Sequence, residues 1–174
     1  EGYSIPIGFK YSIIDMNLDG GLGGVTQKNI PIYIASVGDT LSEILTAVHH
    51  ANCKDVWIMI HRFNANVYLA YKLTENGLDS IPIINNIGSY YSDCGRWGMK
   101  FSPNGKKAVV NKNYFLFNST KPDTIELYKF NNHTGVLSDL IEIGVDTALA
   151  CKEFSQENNF LYPFELKTII TLTL

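Results

Sequence analysis

A tight turn that recurs along the chain constrains its fold more than any other feature. Trp97-Gly98-Met99-Lys100-Phe101-Ser102-Pro103-Asn104-Gly105-Lys106-Lys107-Ala108-Val109-Val110 reads as strand, turn, strand, with Ser-Pro-Asn-Gly at the bend and lysines at its wet tip. Proline presets φ ahead of the bend, and glycine accepts the positive φ that the bend needs. Asn52-Cys53-Lys54, Asn104-Gly105-Lys106 and Glu157-Asn158-Asn159 occupy the same turn at offsets of 52 and 53, and Phe101-Ser102 returns as Phe154-Ser155. At the tip stand Cys, Gly and Asn in turn. Glycine and asparagine tolerate left-handed backbone, so Cys53 is the departure. A second register supports the first. Met16, Leu73 and Phe130, spaced by 57 and 57, precede the turns at Asp19-Gly20, Asn76-Gly77 and Thr134-Gly135, and the proline-bearing runs at Ile30 and Ile81 lie 51 apart.

Between these turns the chain is written in strands. Lys10 to Leu18, Ile30 to Ile34, Val56 to His61, Val67 to Leu73, Ile81 to Ile84, Thr124 to Phe130 and Leu137 to Ile143 are apolar or alternating runs bounded by turn residues. Pro31 cannot donate to a ladder, which puts its strand at a sheet edge. Ser42 to Val48 has helix propensity, but its surroundings favour strands, and no segment keeps a 3.6-residue period. Ten Tyr, nine Phe and two Trp also favour strands. Gly88 to Gly95 reads as a linker rich in Gly, Ser and Tyr.

A period near fifty residues with four strands per period is the signature of an all-β propeller, each blade an antiparallel meander. The expected blades run over about 1–40 (partial), 41–88, 96–144 and 147–174 (partial). Two full and two partial blades are too few for a ring. The chain is then a fragment of one, or a half-ring that a homodimer completes, which would also hide open sheet edges.

Phe101-Ser102-Pro103-Asn104-Gly105-Lys106 resembles the hairpin of WD40-like and TolB-like β-propeller repeats. The wider pattern includes Tyr11-Ser12 with Asp15-Met16 and Gly20-Gly21-Leu22-Gly23, Leu45-Thr46-Ala47-Val48 with His50-Ala51-Asn52, Asp55 and Trp57, and then Asn86-Ile87-Gly88. From about Tyr11 to Tyr162 it is similar to a propeller domain of large secreted or surface-attached bacterial proteins. The resemblance implies fold and an extracellular or cell-surface location, without a defined activity. A chain starting Glu1-Gly2-Tyr3 rather than with methionine fits a trimmed or mature form.

The net charge of −3 and the absence of a basic run exclude nucleic acid as a main partner, and no apolar stretch reaches the roughly 20 residues needed to span a bilayer. Cys53, Cys94 and Cys151 show no metal or CxxC spacing and read as small hydrophobes, with their redox state open. Asp15-x-Asn17-x-Asp19-Gly20 matches half of a calcium loop, but Thr26 stands where a bidentate Glu is needed, and a plain hairpin turn is the better reading. His49, His50 and His61 fall near two arms of one hairpin and are the candidate zinc ligands, weighed against packed strand histidines. No cofactor is implied. Asn118-Ser119-Thr120 and Asn132-His133-Thr134 fit the N-glycosylation pattern as incidental turn sequence. Trp57, Tyr68 and Tyr71 read as core, whereas Tyr90, Tyr91 and Trp97 are the candidate ligand-stacking residues on a loop rim.

Three functions follow. The leading expectation is a non-enzymatic module of an exported bacterial protein that presents a surface to a protein or glycan. The alternatives are a lactonase-type hydrolase with a site at the central channel, and a purely structural spacer. Inward-facing Asp, Glu, His or Asn at the start of several innermost strands would favour the hydrolase, and the innermost-strand candidates Leu45-Thr46-Ala47-Val48 and Gly98-Met99-Lys100 offer no acid.

Overall fold

The computed structural model describes residues 8–33, 40–90, 98–112, 123–145, 152–163 and 170–171. The chain divides into two compact units, Glu1–Leu41 and Ser42–Leu174. Within the first, β1 (Phe9–Asp15) and β2 (Gly24–Tyr33) form a two-stranded antiparallel hairpin. Pro31 therefore lies on an edge strand, as its missing N–H requires, but β2 is much longer than the Ile30–Ile34 run. Val25-Thr26-Gln27-Lys28 is exposed on both faces, so it carries no alternation to betray it. The loop is a plain turn. Asp15 Oδ1 accepts from the Asn17 backbone N–H (2.9 Å) and Asn17 Nδ2 (3.0 Å), and Asp19–Gly21 makes a 3-10 turn.

In the second unit three sheets follow one another. The first blade holds β3 (Leu41–His49), β4 (Val56–Arg62), β5 (Val67–Thr74), β6 (Gly77–Leu78) and β7 (Ile83–Asn86). Both β6 and β7 pair with β5, one beyond the other along the same strand, so the sheet is four strands wide. The second blade is β8 (Met99–Phe101), β9 (Lys107–Lys112), β10 (Asp123–Asn131) and β11 (Val136–Val145), in that order across the sheet. The third joins β12 (Lys152–Phe154), β13 (Phe160–Pro163) and β14 (Ile170–Thr171). Successive antiparallel meanders of this width make the fold a partial β-propeller, and no α-helix occurs among the described residues.

The second blade is buried on both faces, because it lies between its neighbours. Ala108, Val110, Tyr128 and Phe130 pack with Ile44, Trp57, Met59 and Tyr68 of the first blade. Val109, Ile125 and Leu127 point the other way and pack with Phe154 and Leu161 of the third. Each of the larger aliphatic side chains contributes on the order of 1.5–3 kcal/mol on burial, and alternation along one strand feeds two cores.

The recurrent turn has one geometry in all three blades. The N–H groups of Cys53, Gly105 and Asn158 donate to the carbonyls of His50, Ser102 and Ser155 at 3.0, 2.8 and 3.0 Å, and φ is +57°, +66° and +64°. The residues that open these turns, His50, Ser102 and Ser155, donate their N–H groups to Asp55, Lys107 and Phe160, each at 2.9 Å. Cys53 thus adopts the left-handed backbone that glycine takes in the second blade, at a steric cost of roughly 1–2 kcal/mol. Replacing it by glycine, Cys53→Gly, is expected to stabilise the protein by about 0.5–1 kcal/mol, net of the extra freedom of glycine in the unfolded chain. Thermal unfolding reads this as a midpoint a few degrees higher, and an unchanged or lower midpoint would contradict it.

Candidate functional site

The first strands of the three blades come together on one side. β3 contributes Thr46 to His49, its following turn adds His50 and Cys53, β8 brings Lys100, and β12 brings Glu153 to a cleft of about 660 Å³. Asn132, from the turn between β10 and β11, completes one wall. Lys100 Nζ lies 3.2 Å from the Glu153 carboxylate, so the pair bridges two blades. Both side chains are more than half exposed, and solvent limits such a pair to about 1 kcal/mol or less. Its interest is chemical: a cation and an anion stand side by side on the wall of the cleft.

Acids do occur on two of these strands, outside the Leu45-Thr46-Ala47-Val48 and Gly98-Met99-Lys100 runs, which themselves hold none. β3 begins at Leu41 and includes exposed Glu43, which by strand alternation shares a face with Ala47 and His49. Glu153 enters from a third strand. Leu45-Thr46-Ala47-Val48 forms the second half of β3, and Glu43 lies in the half before it.

The three histidines separate. His49 ends β3, exposed on the cleft. His50, next along, opens the turn and is engaged there: Nδ1 accepts the Asn52 N–H (3.1 Å), and Nε2 meets the His133 carbonyl (3.1 Å). His61 lies near the far end of β4, fully buried, its ring against Tyr68 at 4.4 Å between centroids. Among the described residues no group of three or more His, Cys, Asp or Glu is gathered as metal ligands would be. Of the rim aromatics, Tyr90 is 67% exposed, while Tyr91 and Trp97 lie outside the described residues. Trp57, Tyr68 and Tyr71 are core. Cys53 is a free, exposed thiol, and Cys94 and Cys151 lie outside the described residues, as does Asn118.

A buried carboxylate escaped the sequence reading. Glu126, on β10, is fully buried; its Oε1 accepts the Ser89 N–H (3.1 Å), and the Tyr128 hydroxyl donates to Oε2. Burial, reinforced by Tyr68 and by Glu126 itself, holds the Tyr128 phenol well above its ordinary pKa. Gly88 (φ +90°) lies directly over this pair, where an added Cβ would stand 2.2 Å from the Tyr128 hydroxyl. Glu126 thereby fastens the start of the segment leading from the first blade to the second.

No protein-family model matches this chain, and no curated protein matches it. Solved structures do. A protein described as a "putative 6-phosphogluconolactonase" from Bacteroides fragilis aligns over 86% of this chain and 39% of its own length, at 15% identity and a TM-score of 0.55. A protein of the same description from Bacteroides uniformis aligns over 87% of this chain and 40% of its own, at 15% identity and a TM-score of 0.52. The chain thus spans about two fifths of these neighbours, and the likeness establishes the propeller fold.

Two outcomes follow from the buried groups. Gly88→Ala combines a clash with a strained φ and is expected to cost about 2–4 kcal/mol, read by chemical denaturation; a loss below 1 kcal/mol would contradict this placement of the segment. Desolvation lowers His61 from its ordinary value of 6.5 to about 4. The unfolded chain therefore takes up a proton that the folded chain refuses, and stability falls as pH drops from about 6.5 towards 4. Between pH 7.5 and 4.5 the wild type should lose about 2–3 kcal/mol more than His61→Leu, and equal losses would place His61 in water.

Proposed function

We propose that this chain is an arc of a lactonase-type β-propeller and that the cleft between its first strands is the ligand site. The observation that carries the reading is the convergence of β3, β8 and β12 on one cleft bearing His49, Lys100 and Glu153, in a fold shared with proteins described as lactonases. Such a wall suits a small, polyhydroxylated or anionic ligand of the sugar-lactone class. Lactone hydrolysis needs a base to take a proton from the attacking water and a cation to meet the oxyanion that forms at the carbonyl carbon. His49 would take the proton and Lys100 would face the oxyanion, while Glu153 holds the lysine in place. The ring C–O bond then breaks, and the proton returns to the leaving alkoxide. The other blades come from further chain or from a second copy, and mass by light scattering separates these sources.

A second reading is a non-enzymatic module that presents a surface to a protein or glycan in an exported protein. It is favoured by exposed Tyr90 and by the mutual neutralisation of Lys100 and Glu153. Titration with a sugar lactone, followed by the rate of acid release above the uncatalysed rate, distinguishes them. The lactonase reading predicts turnover that falls at least tenfold in both His49→Ala and Lys100→Ala. Binding of the intact lactone without turnover would overturn it in favour of the second.

A further inference from the structure

Two Asn-Gly pairs lie in turns of the second unit, and their surroundings differ. In this dipeptide the asparagine side chain cyclises most readily, because glycine has no Cβ to shield the backbone nitrogen that attacks it. Asn104-Gly105 forms the tip of the recurrent turn in the second blade. There Asn104 Oδ1 accepts from the Ser102 hydroxyl (2.9 Å) and the Lys106 N–H (3.1 Å), which holds the side chain over its own turn. Gly105 is buried, and Val48, Asn132 and the His49 carbonyl stand 3.0, 3.3 and 3.6 Å from where a Cβ would lie.

At Asn76-Gly77, which closes the hairpin between β5 and β6, these restraints are missing. Both residues are exposed, and nothing lies within 4 Å of a Cβ placed on Gly77. The Thr74 hydroxyl braces the turn, accepting the Asn76 N–H and donating to the Gly77 carbonyl, each at 3.2 Å. That brace uses backbone groups of the pair alone. The Asn76 side-chain amide makes no hydrogen bond among the described residues.

We propose that Asn76 is a site of spontaneous deamidation, and that the fold protects Asn104 from the same reaction. The Gly77 backbone nitrogen gives its proton to solvent hydroxide and attacks Asn76 Cγ, forming an N–C bond. The Cγ–Nδ2 bond then breaks, ammonia leaves with a proton taken from water, and a five-membered succinimide remains. Water adds to either ring carbonyl and opens the ring, leaving an aspartyl or an isoaspartyl link at position 76. One water is consumed and one ammonia released. The product puts a new carboxylate on a groove of about 560 Å³ that Asn76 lines with Lys54, Asp55 and Glu75. The isoaspartyl link also adds one carbon to the backbone of the turn, against the Leu73↔Leu78 and Thr74↔Gly77 register that defines the two-residue β6.

Incubation of the protein at pH 8.5 and 37 °C, followed by peptide mass spectrometry at intervals, tests this. Asn76 is expected to convert at least tenfold faster than Asn104 in the folded protein. In guanidinium chloride, where neither turn is formed, the two rates should become comparable. Equal rates in the folded protein, or an Asn76 that stays intact while the unfolded chain converts, would overturn the proposal. Methyl transfer by an isoaspartyl methyltransferase reads the isoaspartyl product. Asn76→Ser should lower that signal at least tenfold, and a signal of wild-type size in this variant would overturn the assignment to Asn76.

Discussion

The second unit depends on how one turn is held. Three carbonyls of the bend between β10 and β11 each receive a side-chain donor from the first blade: Asn132 from Trp57, His133 from His50, and Gly135 from Asn85. Asn85 also accepts the Leu137 N–H at 2.8 Å, so its buried amide is used on both sides. Gly135 is required for this fit, since a Cβ there would stand 2.9 Å from the Trp57 ring. Carbonyls left without donors in such a place would cost on the order of 1–3 kcal/mol each, so the two sheets dock at this turn in one register. The apolar core between them then closes around Tyr68, Met59 and Tyr128.

The cleft follows from that docking. Once the blades are fixed face to face, their first strands are brought side by side, and residues far apart in sequence share a wall. Lys100 meets Glu153 in this way, and the third blade is tied on by the Asn104 N–H to Asn158 Oδ1 (2.9 Å) and Lys107 Nζ to the Asn158 carbonyl (2.8 Å). The same turns that repeat along the chain thus serve as hooks between blades.

Much of the fold was legible because the turns repeat. The spacing of Cys53, Gly105 and Asn158 places three bends of one backbone conformation, and even Cys53, the misfit by residue type, adopts it. The chemistry was less legible, for a physical reason. Thr124 to Phe130 looks like an alternating strand whose Glu126 belongs in water, yet a blade between two neighbours buries both faces, and alternation no longer marks the wet side. By strand alternation His61 shares the face of Trp57 and Met59, which packs against the second blade, and the three histidines, close in sequence, separate into the cleft (His49), the turn (His50) and the interior (His61). The long-range donors to Asn132, His133 and Gly135 leave no mark in local sequence at all. The Asn132-His133-Thr134 triplet, readable as a modification motif, turns out to be the piece that the first blade clasps.

Native-state hydrogen exchange under increasing denaturant addresses that clasp most directly. If the blades are locked at the Asn132–Gly135 turn, the amides of β4 and β5 and those of β9 and β10 should converge on a single opening free energy as denaturant rises. Two separate opening energies, with one sheet exchanging while the other stays protected, would contradict the account.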